Sequence, residues 1–196
     1  MTEGAVGAGA GMVCFGWKGG IGTSSRVVPT ARATVGVLVL ANFGAAPELR
    51  VDGVPVGRLL APPQQLPTRP AGSCIAVVAT DAPLSGAQLT RLARRAGLGL
   101  GRAGSVAHHG SGEIFLAFAT RGRRPRAESG RRSDEESFAD AELDPLFAAA
   151  VDATEESVLN ALWAAPDVAG RAGRLARGLP HDEVLALLRG HGRLTG

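Results

Sequence analysis

A layered α/β protein, with sheet inside and helices outside, is the fold class the sequence predicts. Three observations carry it. Val35 to Ala41 (VGVLVLA), Cys74 to Ala79 (CIAVVA) and Ile114 to Ala119 (IFLAFA) are unbroken apolar runs of strand length, the pattern of strands covered on both faces. Helical segments with one apolar face, at 89–96 and 143–164, supply such cover. The chain has 196 residues, 45% apolar and 20% charged, which is enough for one domain with its own core.

Residues 1–12 are rich in Gly and Ala and read as an irregular lead-in. Val13 to Trp17 is a short apolar stretch, and Lys18-Gly19-Gly20-Ile21-Gly22 after it reads as turns. The first long strand runs over 35–41 and ends at Asn42-Phe43-Gly44. Residues 45–72, with Pro62-Pro63, Pro67 and Pro70, read as an exposed connection. The second strand starts immediately after Gly72-Ser73. Ser85 with Gln88 three residues on is a capping box opening a helix, in which Leu89, Leu92, Ala93 and Ala96 recur at helical spacing. A Gly/Ser/His loop over 101–112 leads to the third strand. Residues 121–140 are charged and read as a solvated loop. A long helix follows to about Ala164, and the tail holds a short amphipathic piece at Val184–Leu188.

The net charge of +3 is too mild to imply nucleic acid, and Lys18 is the only lysine among 21 basic residues. Cys14 and Cys74 are too few for a disulfide framework or a zinc site. Free thiols fit a reducing compartment, so a soluble, cytoplasmic protein is expected. No apolar stretch approaches the roughly 18 residues of a membrane span, and the start lacks a signal-peptide layout.

Polar groups at the ends of rigid strands are where a scaffold holds reactive atoms. Here they are Asn42, Gly72-Ser73, and Ser111-Gly112-Glu113. By pattern alone, serines before strands are commonplace turn residues.

The strings GMVCFGWKGGIGTSSR (11–26), VGVLVLANFG (35–44), GSCIAVVATDAPL (72–84) and GSGEIFLAFAT (110–120), with the helix ATEESVLNALWAA (153–165), change that balance. Together they resemble the β-aminopeptidase family, which includes the L-aminopeptidases that act as D-amidases and D-esterases. The resemblance implies a self-cleaving N-terminal-nucleophile serine peptidase with a four-layer αββα sandwich, here incomplete. It implies cleavage at Gly72-Ser73, Ser73 as nucleophile and base through its freed amine, and Asn42 as oxyanion donor. Ser111 and Glu113 would orient the nucleophile and relay its proton. It further implies that this chain lacks the family's N-terminal third, with strands, a helix, an active-site tyrosine and an acidic residue for the substrate's amine. The chain has no tyrosine.

On that reading residues 1–165 are the C-terminal two-thirds of one peptidase domain, with 1–72 closing the α-subunit portion and 73–165 forming the β-subunit portion. Residues 166–196 are a tail with a short helix. The expected activity is release of N-terminal residues from short peptides, amides or esters by a homo-oligomer, with no metal or organic cofactor. The alternative is an inactive remnant acting through association with other chains, by way of an exposed sheet edge.

Other features weigh less. His108-His109 could suggest a metal or a Ser–His pair, but adjacent loop histidines without a third ligand read as polar loop residues. Cys74, beside Ser73, should point to the opposite face as a buried thiol. Lys18 in WKGGIGTS is not a P-loop lysine, because Gly follows it. The arginines of 121–126 have no interleaved aromatics and precede acidic 134–136, so they read as a solvated loop rather than a phosphate site.

Overall fold

The computed structural model describes residues 1–60, 72–121 and 138–194. A two-residue hairpin, β1 (Val13–Cys14) and β2 (Trp17–Lys18), precedes the first long strand, β3 (Gly20–Val28). β4 (Ala33–Asn42) follows, then a short helix, α1 (Val56–Leu59), and β5 (Gly72–Thr80). Next come α2 (Gly86–Ala93), α3 (Ala96–Arg102), β6 (Ser111–Ala119) and the long α4 (Asp144–Trp163). A small hairpin, β7 (Val168–Ala169) with β8 (Leu175–Ala176), and α5 (His181–Gly190) complete the described chain.

β3, β4, β5 and β6 form one four-stranded sheet in that order, antiparallel except for the parallel pair β5–β6. The capping box forms as expected: Ser85 Oγ accepts from the Gln88 N–H, and Gln88 Oε1 accepts from the Ser85 N–H. α4 lies against β3 and β4 and is bonded to them through side chains. Asn160 Nδ2 donates to the Thr23 carbonyl at 2.8 Å, and Ser157 Oγ shares its one proton between the Ala153 carbonyl at 2.7 Å and the Val37 carbonyl at 3.3 Å. α2 covers β5 and β6, and α3 packs on α4.

Three sequence expectations need correction. Residues 20–22 are part of β3 rather than turns. A Cβ on Gly22 would overlap the Ser157 carbonyl, so this glycine lets α4 approach the strand. Residues 46–60 are packed rather than an exposed connection: Leu49, Val51, Val54 and Val56 are buried, and α1 lies among them. The rest of that connection, 61–71, lies outside the described residues, as do the arginines and acids of 122–137.

The third correction concerns the strands' cover. Val35, Val37, Val39, Ala41, Cys74, Ala76 and Val78 are buried toward the helices. On the other face Ile75, Ile114, Leu116 and Phe118 remain 39%, 62%, 56% and 45% exposed, and among the described residues no layer covers them. The described chain is therefore one α layer on one β layer, half of an αββα arrangement. No helix among the described residues is long and apolar enough to cross a membrane.

Candidate active site

The sheet register brings the polar strand ends together. Asn42, the last residue of β4, pairs across the antiparallel ladder with Ser73, the second residue of β5. On its other side Ser73 pairs with Gly112 of β6, and Gly72 with Ser111. Because β4 ends where β5 and β6 begin, all three meet at one end of the sheet. Ser73 is exposed on the open face, and its Oγ accepts a long hydrogen bond from the Gly112 N–H, at 3.3 Å.

Gly72 has a packing reason to be glycine. A Cβ there would overlap the Asn42 carbonyl oxygen, so any side chain would push β5 off β4 beside the nucleophile candidate. Gly72 lies within β5 and has no left-handed φ. Its carbonyl is held by regular strand geometry.

Asn42 is half-buried, and its Oδ1 accepts from the Val13 N–H at 3.0 Å. That bond fixes the amide's orientation, since an acceptor is needed toward Val13 and the Nδ2 donor must face away from it. Among the described residues Nδ2 has no protein acceptor.

Ser111 and Glu113 form a pair of their own. Ser111 Oγ donates to Glu113 Oε1 at 2.6 Å. Strand alternation sets both on the face that carries Cys74, opposite the Ser73 side chain. No hydrogen bond joins either side chain to Ser73 among the described residues. The site thus divides into Ser73, Asn42 and the Gly112 N–H on the open face, and Ser111 with Glu113 behind it.

Cys74 is 1% exposed and points into the core, as expected. Burial, with the nearby Glu113 carboxylate, pushes its thiol up to about 12, which keeps it protonated and a poor nucleophile at neutral pH. Burial raises Cys14 as well. His108 is committed to the scaffold. Its Nε2 lies 2.7 Å from Glu48 Oε1, and its carbonyl accepts from the Ser111 N–H at 2.7 Å. The loop before β6 is thereby tied to the turn that follows Asn42. His109 is exposed, and no group of three or more His, Cys, Asp or Glu with metal-binding geometry occurs among the described residues.

Two participants escaped the sequence reading, the backbone N–H groups of Val13 and Gly112. Neither has a residue-type signature. The one available signal was the lone lysine beside the first, Lys18.

The chain is similar to known proteins over its whole length. The β-peptidyl aminopeptidase BapA of Sphingosinicella microcystinivorans is 44% identical over a 211-residue alignment that takes in 100% of this chain and 53% of that protein. The solved L-aminopeptidase D-Ala-esterase/amidase of Ochrobactrum anthropi is 44% identical, with a TM-score of 0.90 over 100% of this chain and 54% of its own. It is described as a prototype for the serine aminopeptidases and a variant of the Ntn hydrolase fold. A β-aminopeptidase from a Burkholderia species matches at 42% identity and a TM-score of 0.85, over 100% of this chain and 56% of its own. The chain therefore spans about half the length of these relatives, a larger difference than the third that the resemblance implied. The model of peptidase family S58 matches residues 1–176, and the chain belongs to that family.

Proposed function

We propose that this chain carries the nucleophile of a serine aminopeptidase or amidase, acting on short peptides, amides or esters with a free N-terminal amine. The observation that carries the reading is the placement of Ser73 between an oriented Asn42 amide and the Gly112 N–H, directly after a glycine that only glycine can be.

The first step is self-cleavage. Ser73 Oγ attacks the Gly72 carbonyl carbon, and the hydroxyl proton passes to the departing Ser73 nitrogen as the C–N bond breaks. Water then opens the resulting ester, leaving a Gly72 carboxylate, a free Ser73 hydroxyl and a free α-amine. Such an amine has an ordinary pKa of about 7.7–8.0, close enough to neutrality to serve as general base for its own hydroxyl. In turnover the hydroxyl attacks the substrate carbonyl, the amine takes its proton and returns it to the leaving amine, and water resolves the acyl-enzyme. Asn42 Nδ2 stabilises the oxyanion in each tetrahedral intermediate. Ser111 and Glu113, on the far face, brace the β6 backbone around Gly112 and so orient Ser73 through the strand, with no proton relayed by either side chain.

One observation favours a second reading, a remnant that works by association. The open face leaves four large apolar side chains exposed on two adjacent strands, which marks a surface normally covered in solution. Self-association through that face is compatible with either reading.

An acyl-enzyme trap separates the two. The chain, incubated with an aminoacyl ester and quenched in acid, is expected to gain the aminoacyl mass on a fragment that begins at Ser73. The Ser73→Ala variant should gain none. No adduct and no amide turnover in the parent chain would favour the remnant.

A further inference from the structure

Lys18 has no part in the chemistry above, yet among the described residues it is the one buried side chain that carries a charge. It is 1% exposed, and burial lowers the pKa of its ammonium. Its three protons are fully used: Nζ donates to the carbonyls of Gly9 at 3.0 Å, Met12 at 2.6 Å and Gly19 at 2.6 Å. The Met12 carbonyl also accepts from the Gly19 N–H at 3.0 Å. The other end of that same peptide unit, the Val13 N–H, is the group that donates to Asn42 Oδ1.

From this chain of contacts we infer that Lys18 is a positioning residue for the Asn42 amide. Its ammonium clamps the Met12–Val13 peptide so that the peptide's N–H holds Asn42 with Nδ2 turned toward Ser73. An ammonium on a carbonyl oxygen also polarises the peptide, which strengthens the N–H at its far end as a donor. The neighbouring backbone supports the same alignment. The Phe15 N–H donates to the Phe43 carbonyl at 2.8 Å, so residues 13–15 run along Asn42 and Phe43 and not past them. A lysine needed merely to fasten the N-terminal coil could use any carbonyls. One of the three carbonyls this one holds belongs to the peptide unit whose N–H faces the amide.

The inference rests on the proposed role of Asn42, and its test reads placement and chemistry separately. In the unmutated, isotope-labelled full chain, through-hydrogen-bond scalar couplings are expected from Lys18 Nζ to the Met12 carbonyl carbon and from the Val13 nitrogen to Asn42 Cγ. In Lys18→Met, the Val13 amide should exchange at least about tenfold faster and the Asn42 side-chain NH2 resonances should move. Self-cleavage, followed by intact mass, should slow roughly 10- to 100-fold. In an Asn42→Ala background, Lys18→Met should cost less than about a further twofold, because it acts through that amide. Absent couplings in the unmutated chain would overturn the inference even if Lys18→Met fails to fold. So would a folded Lys18→Met with unchanged Asn42 resonances, or losses that multiply in the double variant. Unimpaired cleavage in Asn42→Ala, with the couplings present, would instead overturn the oxyanion role itself.

Discussion

The two faces of the central sheet are built from the same strands and nearly the same residue types, yet they have opposite surroundings. Toward α4 the side chains of β4 and β5 are small and branched, and every one from Val35 to Ala41 on that face is buried. Toward the open side β5 and β6 present Ile75, Ile114, Leu116 and Phe118 to solvent, and the Ser73 end of that face carries the groups proposed to react. Burial on one side therefore fixes the register, and the register sets Asn42, Ser73 and Gly112 side by side on the other. The scaffold lies on one face and the proposed chemistry on the other.

The sharpest way to break that division is to part the sheet from its helix. Gly22→Val would drive a side chain into the Ser157 carbonyl and the Ala161 N–H. Thermal unfolding followed by circular dichroism should lose its cooperative transition, as overpacking against backbone cannot be relieved by a rotamer change. Next in size is Asn42→Ala, which leaves the helix face untouched. It should keep the parent's melting temperature within a few degrees and slow cleavage at Gly72–Ser73 by roughly 10²–10³-fold. A comparable loss of both stability and rate would show that the two faces are not separable.

Much of the helix-facing architecture was legible in the sequence. The apolar runs at 35–41, 74–79 and 114–119, the Ser85/Gln88 cap and the helix over 143–164 all follow from local periodicity and local hydrogen bonding, which sequence expresses directly. β3 was not legible, because its glycines read as turns and its Thr23, Ser24 and Arg26 look solvated. Their partners are distant: Thr23 Oγ1 bonds Glu3 Oε1 at 2.6 Å, and Ser24 Oγ bonds Glu156 Oε2 at 2.7 Å. Nor does an unbroken apolar run say whether one face or two is covered. In the site, strand ends located Asn42, Ser73 and Ser111, but their pairing needed the register. The separation of Ser111 and Glu113 from Ser73 was implicit in strand alternation, since Gly112, lying between them, is the residue paired with Ser73.

A matched pair of truncations gives a finer measure of the contrast between faces. Leu162→Ala, on the fully buried side of α4, should cost about 2–5 kcal/mol in denaturant unfolding. Leu116→Ala, on the open face, should stay within about 0.5 kcal/mol if that face is solvated. A loss near that of Leu162 would mean the open face is covered in solution, and sedimentation would then show an oligomer.

The smallest effect concerns Cys74. A thiol held near 12 keeps its proton from pH 7 to 10, so native Cys74 should react with iodoacetamide slowly across that range. In the unfolded chain the rate should climb as pH passes the ordinary thiol value of about 8.5. Fast native labelling at pH 8 would place the thiol on the solvent side of β5, and Ser73 with the core.

The central claim is that Ser73 is the reactive group at the end of the open face. Intact-mass analysis of the purified 196-residue chain beside its Ser73→Ala variant tests it most directly. Cleavage at Gly72–Ser73 predicts fragments of 72 and 124 residues in the parent and a single uncut species in the variant. A single uncut species in both, after prolonged incubation at neutral pH, would contradict it.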